Sequence, residues 1–135
     1  MRTKLYIYNP YPSVGGSETT LLRFINSIDK NKYDVILLSL KNNINVFAKI
    51  KFIRLNSIST LLSFFKIRKI ILKDNSRNII FFSTQYFVNI WSIIFLNKIG
   101  NIKIFIYEIV HPIELDYGFS FLEFLKKKNY KISCH

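Results

Sequence analysis

The residues with chemistry to offer fall in two short stretches. The first is Asn9-Pro10-Tyr11-Pro12-Ser13-Val14-Gly15-Gly16-Ser17-Glu18. Gly15 and Gly16 can take positive φ, so the backbone can turn sharply there and present its N–H groups. Ser17 is a candidate N-cap for a helix that follows. Glu18 would stand in its first turn, where negative charge is favoured. A strand, a glycine turn and a helix N-terminus in succession make a seat for phosphate. The plainer reading is that two glycines let a strand-to-helix corner close. No G-x-G-x-x-G and no G-x-x-x-x-G-K-[ST] is present, so motif supports neither dinucleotide nor P-loop binding.

The second stretch holds Glu108, His111, Glu114 and Asp116 around Pro112 and Gly118. A histidine titrates near neutrality and can donate a hydrogen bond to a hydroxyl or phosphate; the plainer reading of His111 is a surface-loop residue. Glu108 can accept hydrogen bonds from hydroxyls or pair with a lysine. Glu108 and Glu114 on one loop leave two-carboxylate glycoside hydrolysis open on spacing alone. One Cys and two His fall short of a structural zinc set, and no G-x-S-x-G elbow occurs.

The elements that must carry these residues alternate. Leu5-Tyr6-Ile7-Tyr8 has the length and character of a buried strand, stopped by Pro10 and Pro12, which remove ladder donors. Leu21, Phe24, Ile25 and Ile28 recur at helical spacing. Val35-Ile36-Leu37-Leu38 is an uninterrupted apolar run suited to a parallel strand covered on both faces, and Lys51 to Leu55 alternates like a strand nearer an edge. Leu61, Phe64, Ile67 and Ile71 mark an amphipathic helix whose outer face carries Lys66, Arg68, Lys69 and Lys73. Such a face is ordinarily solvated; docking on a membrane surface is the sharper reading.

The spacing predicts strands near 4–9, 34–39, 51–55, 79–83 and 103–107, and helices near 17–28, 60–73, 87–98 and 119–128, with Gly100 as a helix stop. Ile79 to Leu96 carries no charge and is nearly long enough to span a bilayer. Ser83, Thr84, Gln85, Asn89 and Ser92 interrupt it, so strand, turn and helix explain it better. Alternation of strand and helix predicts an α/β fold: a Rossmann-like open parallel sheet with helices on both faces. Ligands of such sheets bind beyond the carboxyl ends of the strands. That rule selects Asn9 to Ser17, the loop after Leu40, Thr84 to Tyr86, and Glu108 to Asp116.

Tyr8-Asn9-Pro10, then Val14-Gly15-Gly16-Ser17-Glu18-Thr19-Thr20-Leu21-Leu22-Arg23-Phe24, resembles the opening of family 4 glycosyltransferases. Lys32-Tyr33-Asp34-Val35-Ile36-Leu37-Leu38-Ser39 follows at the right interval and is similar to their second strand. The resemblance covers nearly all of the chain and implies the N-terminal, acceptor-side domain of a GT-B fold. A C-terminal, donor-binding domain with a paired-glutamate signature would lie outside residues 1–135. The resemblance further implies transfer of a sugar from a nucleoside-diphosphate donor to a glycan or lipid-linked acceptor, with retention and without a metal or other cofactor. It assigns Gly15 and Gly16 to the donor diphosphate, Glu18 to bracing the turn, and His111 to catalysis beside the transferred sugar. Asn9, Thr84, Gln85 and Glu108 stand in the loops that receive the acceptor. A 135-residue chain of this kind is expected to be inactive alone. The competing readings are a truncated or split-gene remnant and a basic α/β binding module.

Bulk properties set bounds. The 135 residues suit one domain; half are hydrophobic and 16% aromatic, which excludes general disorder. Twenty Lys plus Arg against eight Asp plus Glu give +12, which favours anionic partners: nucleic acid, lipid headgroups or phosphorylated substrates. The aromatics fall mostly at core-facing positions, against a base-stacking surface. A lone Cys134 and an apolar N-terminal run broken by Asn9 and Pro10 point to a cytoplasmic protein, peripheral at the inner membrane face in the sharper reading.

Overall fold

A computed structural model of the chain describes residues 2–12, 16–42, 49–83 and 85–107. They form β1 (Thr3–Tyr8), α1 (Gly16–Ser27), β2 (Tyr33–Ser39), β3 (Lys51–Arg54), α2 (Thr60–Lys73), β4 (Ile79–Ser83), α3 (Tyr86–Leu96) and β5 (Ile102–Ile106). The five strands make one sheet in the order β3-β2-β1-β4-β5, every pair parallel. The expected open parallel α/β sheet is therefore present, and each described element lies within two residues of its predicted bounds. The helix expected over 119–128 lies outside the described residues.

Period-two alternation within the central strands decides what each face buries. Tyr6, Tyr8, Ile36, Leu38, Ile79 and Phe81 point to one side, where Phe64, Ile67 and Ile71 of α2 and Val88 and Leu96 of α3 meet them. Leu5, Ile7 and Leu37 point to the other side and bury Leu21 and Ile25 of α1. Helices thus cover both faces. β1 and β2, at the centre, are buried on both sides at their carboxyl halves, and β3 lies at the edge with its ends exposed.

Local signals explain the helix ends. Ser59 caps α2 by accepting a hydrogen bond from the Leu62 amide at 3.3 Å. Asp74 closes the same helix and ties it to the sheet: the Tyr6 hydroxyl donates to its carboxylate at 2.5 Å, and Lys4 Nζ lies 3.6 Å away. Burial opposes ionisation of Asp74, but hydrogen bonds from Ser76 and Tyr6, with Lys4 nearby, hold its carboxyl below the usual range. A depressed carboxyl pKa gives stability that is present above the unfolded value and is lost as pH falls through the folded one. Tyr6 is shifted the opposite way, first by burial and then by the carboxylate it serves.

Two sequence expectations are corrected. The first helix begins at Gly16, so Ser17 lies inside its first turn and is not the N-cap. Gly16 itself is helical, and no described glycine has positive φ. Gly100 likewise does not stop a helix by a left-handed turn: α3 ends at Leu96 with Asn97 as a right-handed cap. The backbone's left-handed residue in the described part is Asn56, at φ 44°.

Candidate functional site

The strand order reverses between β1 and β4. From β1 the chain leaves through α1 towards β2, and from β4 it leaves through α3 towards β5, on the opposite face. Tyr8 and Ser83 are register partners at the carboxyl end of that pair. Connections diverging to opposite faces leave a crevice there, which is where open α/β sheets take ligands.

The floor of the crevice is built from buried polar groups. Ser83 Oγ and the side-chain amide of Asn89 are 2.6 Å apart, and both residues are buried. With its amide nitrogen turned to the corner, Asn89 also reaches the Ser83 and Gln85 carbonyls at 3.2 Å. Ser92 Oγ lies 3.4 Å from Ser83 Oγ and donates to the Val88 carbonyl at 2.6 Å. This triad holds the corner between β4 and α3 in a single shape, because a buried polar group left unpaired is costly. On the other side of the pair, the Tyr8 hydroxyl meets Ser63 Oγ at 2.5 Å. Burial pushes the Tyr8 hydroxyl up to about 12, against the Ser63 hydrogen bond. Tyr8 is therefore neutral at physiological pH and a positioning group, not a base.

The loop after β1 is pinned to the end of β2. Asn9 donates its amide to the Leu38 carbonyl at 3.0 Å, and the Pro10 carbonyl accepts from the Leu40 amide at 3.1 Å and from Ser39 Oγ at 3.2 Å. Lys41 Nζ sits 5.5 Å from the centre of the Tyr11 ring, a cation–π contact between the two loops. At the far side, Tyr107 donates its amide to the Ser83 carbonyl at 2.9 Å and its ring stacks on Phe82. The carboxyl ends of β1, β2, β4 and β5 are thus tied into one rim.

Of the residues selected from sequence, the structure brings Asn9, Gly16, Glu18 and Gln85 to this rim or the first turn beside it. Asn9 is buried, with its side chain covered. Gly16 opens α1, whose first N–H groups lack partners within the helix. Glu18 is buried in that first turn and engaged. Gln85 is exposed at the N-terminus of α3, and its side chain does not cap that helix. Gly15, Thr84, Glu108 and His111 lie outside the described residues. Sequence reasoning missed the roles of Ser83, Asn89 and Ser92, reading all three only as interruptions of an apolar run. The signal was available: polar residues three apart on an otherwise apolar helix share one face, and that face meets a strand ending in Ser.

Two concavities lie elsewhere. One, about 260 Å³, is a groove between the β3 end and α2, lined by Arg54, Leu55, Lys66, Lys69, Ile70 and Lys73. The other, about 510 Å³, is bounded by Arg2, Tyr33, Asp34 and Lys51 at the amino ends of the strands. Neither touches the crevice. Among the described residues no helix is long and apolar enough to cross a membrane.

Comparison with known proteins returned a single kind of likeness. No family model matches the chain, and no curated protein does. A solved structure described as a UGT transferase from Siraitia grosvenorii in complex with UDP is similar over 95% of this chain, at 17% identity and a TM-score of 0.53. The chain spans 28% of that protein's length. At this identity the likeness establishes the fold alone: a Rossmann-like open parallel sheet.

Proposed function

We propose that this chain is the N-terminal, acceptor-side domain of a GT-B glycosyltransferase resembling family 4, and that it works with a donor-binding domain not contained in residues 1–135. The observation that carries this reading is the crevice at the reversal of strand order. Asn9 and Gln85 stand on either side of it, and the N-terminus of α1 at Gly16 lies next in sequence to the glycine turn. The fold likeness to a transferase crystallised with UDP supports it, as do the matched opening and second strand.

In the reaction, the bond between the donor sugar and its diphosphate breaks, and the nucleoside diphosphate leaves with the bonding electrons. The acceptor hydroxyl takes the sugar and loses its proton. The first N–H groups of α1, beyond Gly15 and Gly16, face the diphosphate and stabilise the charge that grows on it. His111 donates a hydrogen bond near the sugar undergoing transfer. Glu18, buried in the first turn of α1, braces the turn and does not react. Thr84, Gln85 and Glu108 orient the acceptor, a glycan or lipid-linked sugar of the cell envelope, and Asn9, whose side chain is buried, shapes the rim beneath it. No metal takes part, and the anomeric configuration is retained.

Incubating the purified 135-residue chain with a panel of nucleotide-sugars and simple glycoside acceptors tests the division of labour. The expected result is no turnover, because half of the cleft is supplied elsewhere. Sustained release of nucleoside diphosphate by this chain alone would refute it.

A further inference from the structure

On the flank of α2 turned towards the β3 edge lies the groove of about 260 Å³, and its charge is all of one sign. Arg54 and Leu55, at the carboxyl end of β3, form one wall; Lys66, Lys69, Ile70 and Lys73 of α2 form the other. The opposite flank of α2 is the one that meets α3: there Phe65 packs on Phe95, and the Arg68 guanidinium donates to the Phe95 carbonyl. Leu55 is buried and Ile70 half-buried, so the floor is apolar while the four cations stand exposed around it. Lys66, Lys69 and Lys73 recur at helical spacing, which sets three ammonium groups in a row about 10 Å long.

Two of these cations are already held in place, and by neutral partners. Arg54 donates to the Asn42 side-chain carbonyl at 2.8 Å, and Lys66 donates to the main-chain carbonyl of Asn56, the residue at φ 44°. Elsewhere lysines meet carboxylates: Lys4 lies by Asp34 and Asp74, and Lys32 by Asp29. Among the described residues none of the four groove cations does so. Asp74 follows Lys73 directly, but its carboxylate accepts from Tyr6 and faces Lys4. Residues 43–48, which precede β3 in the chain, contain no acid. The acids beyond residue 107 follow β5, which is at the opposite edge of the sheet, about 19 Å from β3 by strand spacing. A cleft lined by one sign of charge over an apolar floor concentrates its field on the anion that enters.

We infer that this groove binds a chain bearing several phosphates, which run along Lys66, Lys69 and Lys73 with Arg54 on the facing wall. Length selects a chain, because one phosphate cannot reach both ends of a row about 10 Å long. The guanidinium fork matches two phosphate oxygens, and the ammonium groups act as point charges on the others. A phosphate within a chain offers anionic oxygens to both walls, whereas the carboxylates of a peptide project to one side. No aromatic ring lines the groove, so a nucleic acid finds no stacking platform. A second copy would set like charges against each other. The same phosphate chemistry occurs in linear polyphosphate and in a phosphodiester-linked polyol; only the second brings carbon to the floor of Leu55 and Ile70. The groove stands apart from the crevice, and the inference does not depend on the transfer reaction.

The full chain is titrated calorimetrically with a short linear polyphosphate and with a glycerol phosphate oligomer of equal charge. The expected result is saturable binding that weakens as salt rises, and the tighter of the two probes identifies the source. Arg54→Gln, Lys69→Gln and Lys73→Gln together should lower the association constant at least about tenfold, since each exposed charge pair is worth up to about fivefold. Arg23→Gln, Lys98→Gln and Lys103→Gln together remove the same charge from elsewhere and should change it less than about twofold. All six side chains are exposed, and circular dichroism melts confirm that both variants fold. Amide shifts of the 15N-labelled parent locate the site without any variant and should move at Leu55, Lys66, Lys69, Ile70 and Lys73. Absence of saturable binding, equal losses in the two variants, or shifts confined to other residues would overturn the inference. So would tighter binding of oligoglutamate, single-stranded DNA or anionic vesicles than of either phosphate probe.

Discussion

Gly16→Val, made in an enzyme that carries this domain, is expected to remove most sugar transfer while leaving the domain folded. Gly16 is the first residue of α1, so its backbone belongs to a helix that valine can also enter. In a helix, valine is a better residue than glycine by a few tenths of a kcal/mol. Any loss of activity therefore comes from what the branched side chain does at the helix N-terminus, where unpaired N–H groups would otherwise face the donor diphosphate. His111→Ala in the same enzyme should lower kcat about 10²–10³-fold, the usual consequence of losing a donor aimed at developing charge. It should lower kcat more than it raises KM, because the interaction strengthens in the transition state. Steady-state kinetics, with folding checked by circular dichroism, separate the outcomes. A Gly16→Val protein that unfolds returns the glycine turn to a purely structural role, and near-parental kcat for His111→Ala demotes that histidine to a loop residue.

The largest effect on stability is expected at Phe64. Its ring is fully buried and meets Tyr8 edge-on at 5.5 Å, Phe95 at 5.8 Å and Phe81 at 6.3 Å between ring centres. It is the point where α2, α3 and the two central strands of the crevice converge. Phe64→Ala loses the transfer energy of the ring and leaves a cavity that four elements cannot close together, at a cost of about 3–5 kcal/mol. For a domain of this size that lowers Tm by roughly 10–20 °C. Phe64→Leu keeps most of the volume and should cost under about 2 kcal/mol. Thermal unfolding followed by circular dichroism measures both. A loss below about 1 kcal/mol for Phe64→Ala would mean that the layer does not pack as described.

Much of this architecture was readable from the sequence because the core strands are continuous apolar runs and the helices keep a regular apolar period. Val35 to Leu38 suits a strand covered on both faces, and Phe64, Ile67 and Ile71 do mark the buried face of α2, whereas Leu61, read with them, is exposed at the edge of that face. The helix starts were less legible. Ser17 has the right chemistry for an N-cap, but α1 begins one residue earlier, since cap identity depends on backbone dihedrals that Ser, Thr and Gly permit equally. Gly100 followed a helix at the right distance for a left-handed stop, yet α3 had already ended at Leu96. The polar triad under the crevice was only half legible: Asn89 and Ser92 share a helix face, but their partner does not show in the spacing. Ser83, Asn89 and Ser92 belong to two elements, and their partnership exists only once β4 and α3 are packed. Periodicity says that a helix is apolar and cannot say which side a neighbouring serine will claim.

The most direct test of a ligand crevice at the β1–β4 reversal is an amide-shift titration of the 15N-labelled chain with a nucleoside diphosphate. The affinity expected of half a cleft is weak, with a Kd on the order of 1 mM or above. The perturbed amides should be Asn9, Gly16, Ser17, Gln85 and Tyr107, at the carboxyl ends of β1, β4 and β5 and the start of α1. Perturbation confined instead to Thr3, Tyr33, Ile79 and Ile102, at the amino ends of the strands, or to Lys66, Lys69 and Lys73 on α2, would contradict a donor-facing crevice at the reversal of strand order.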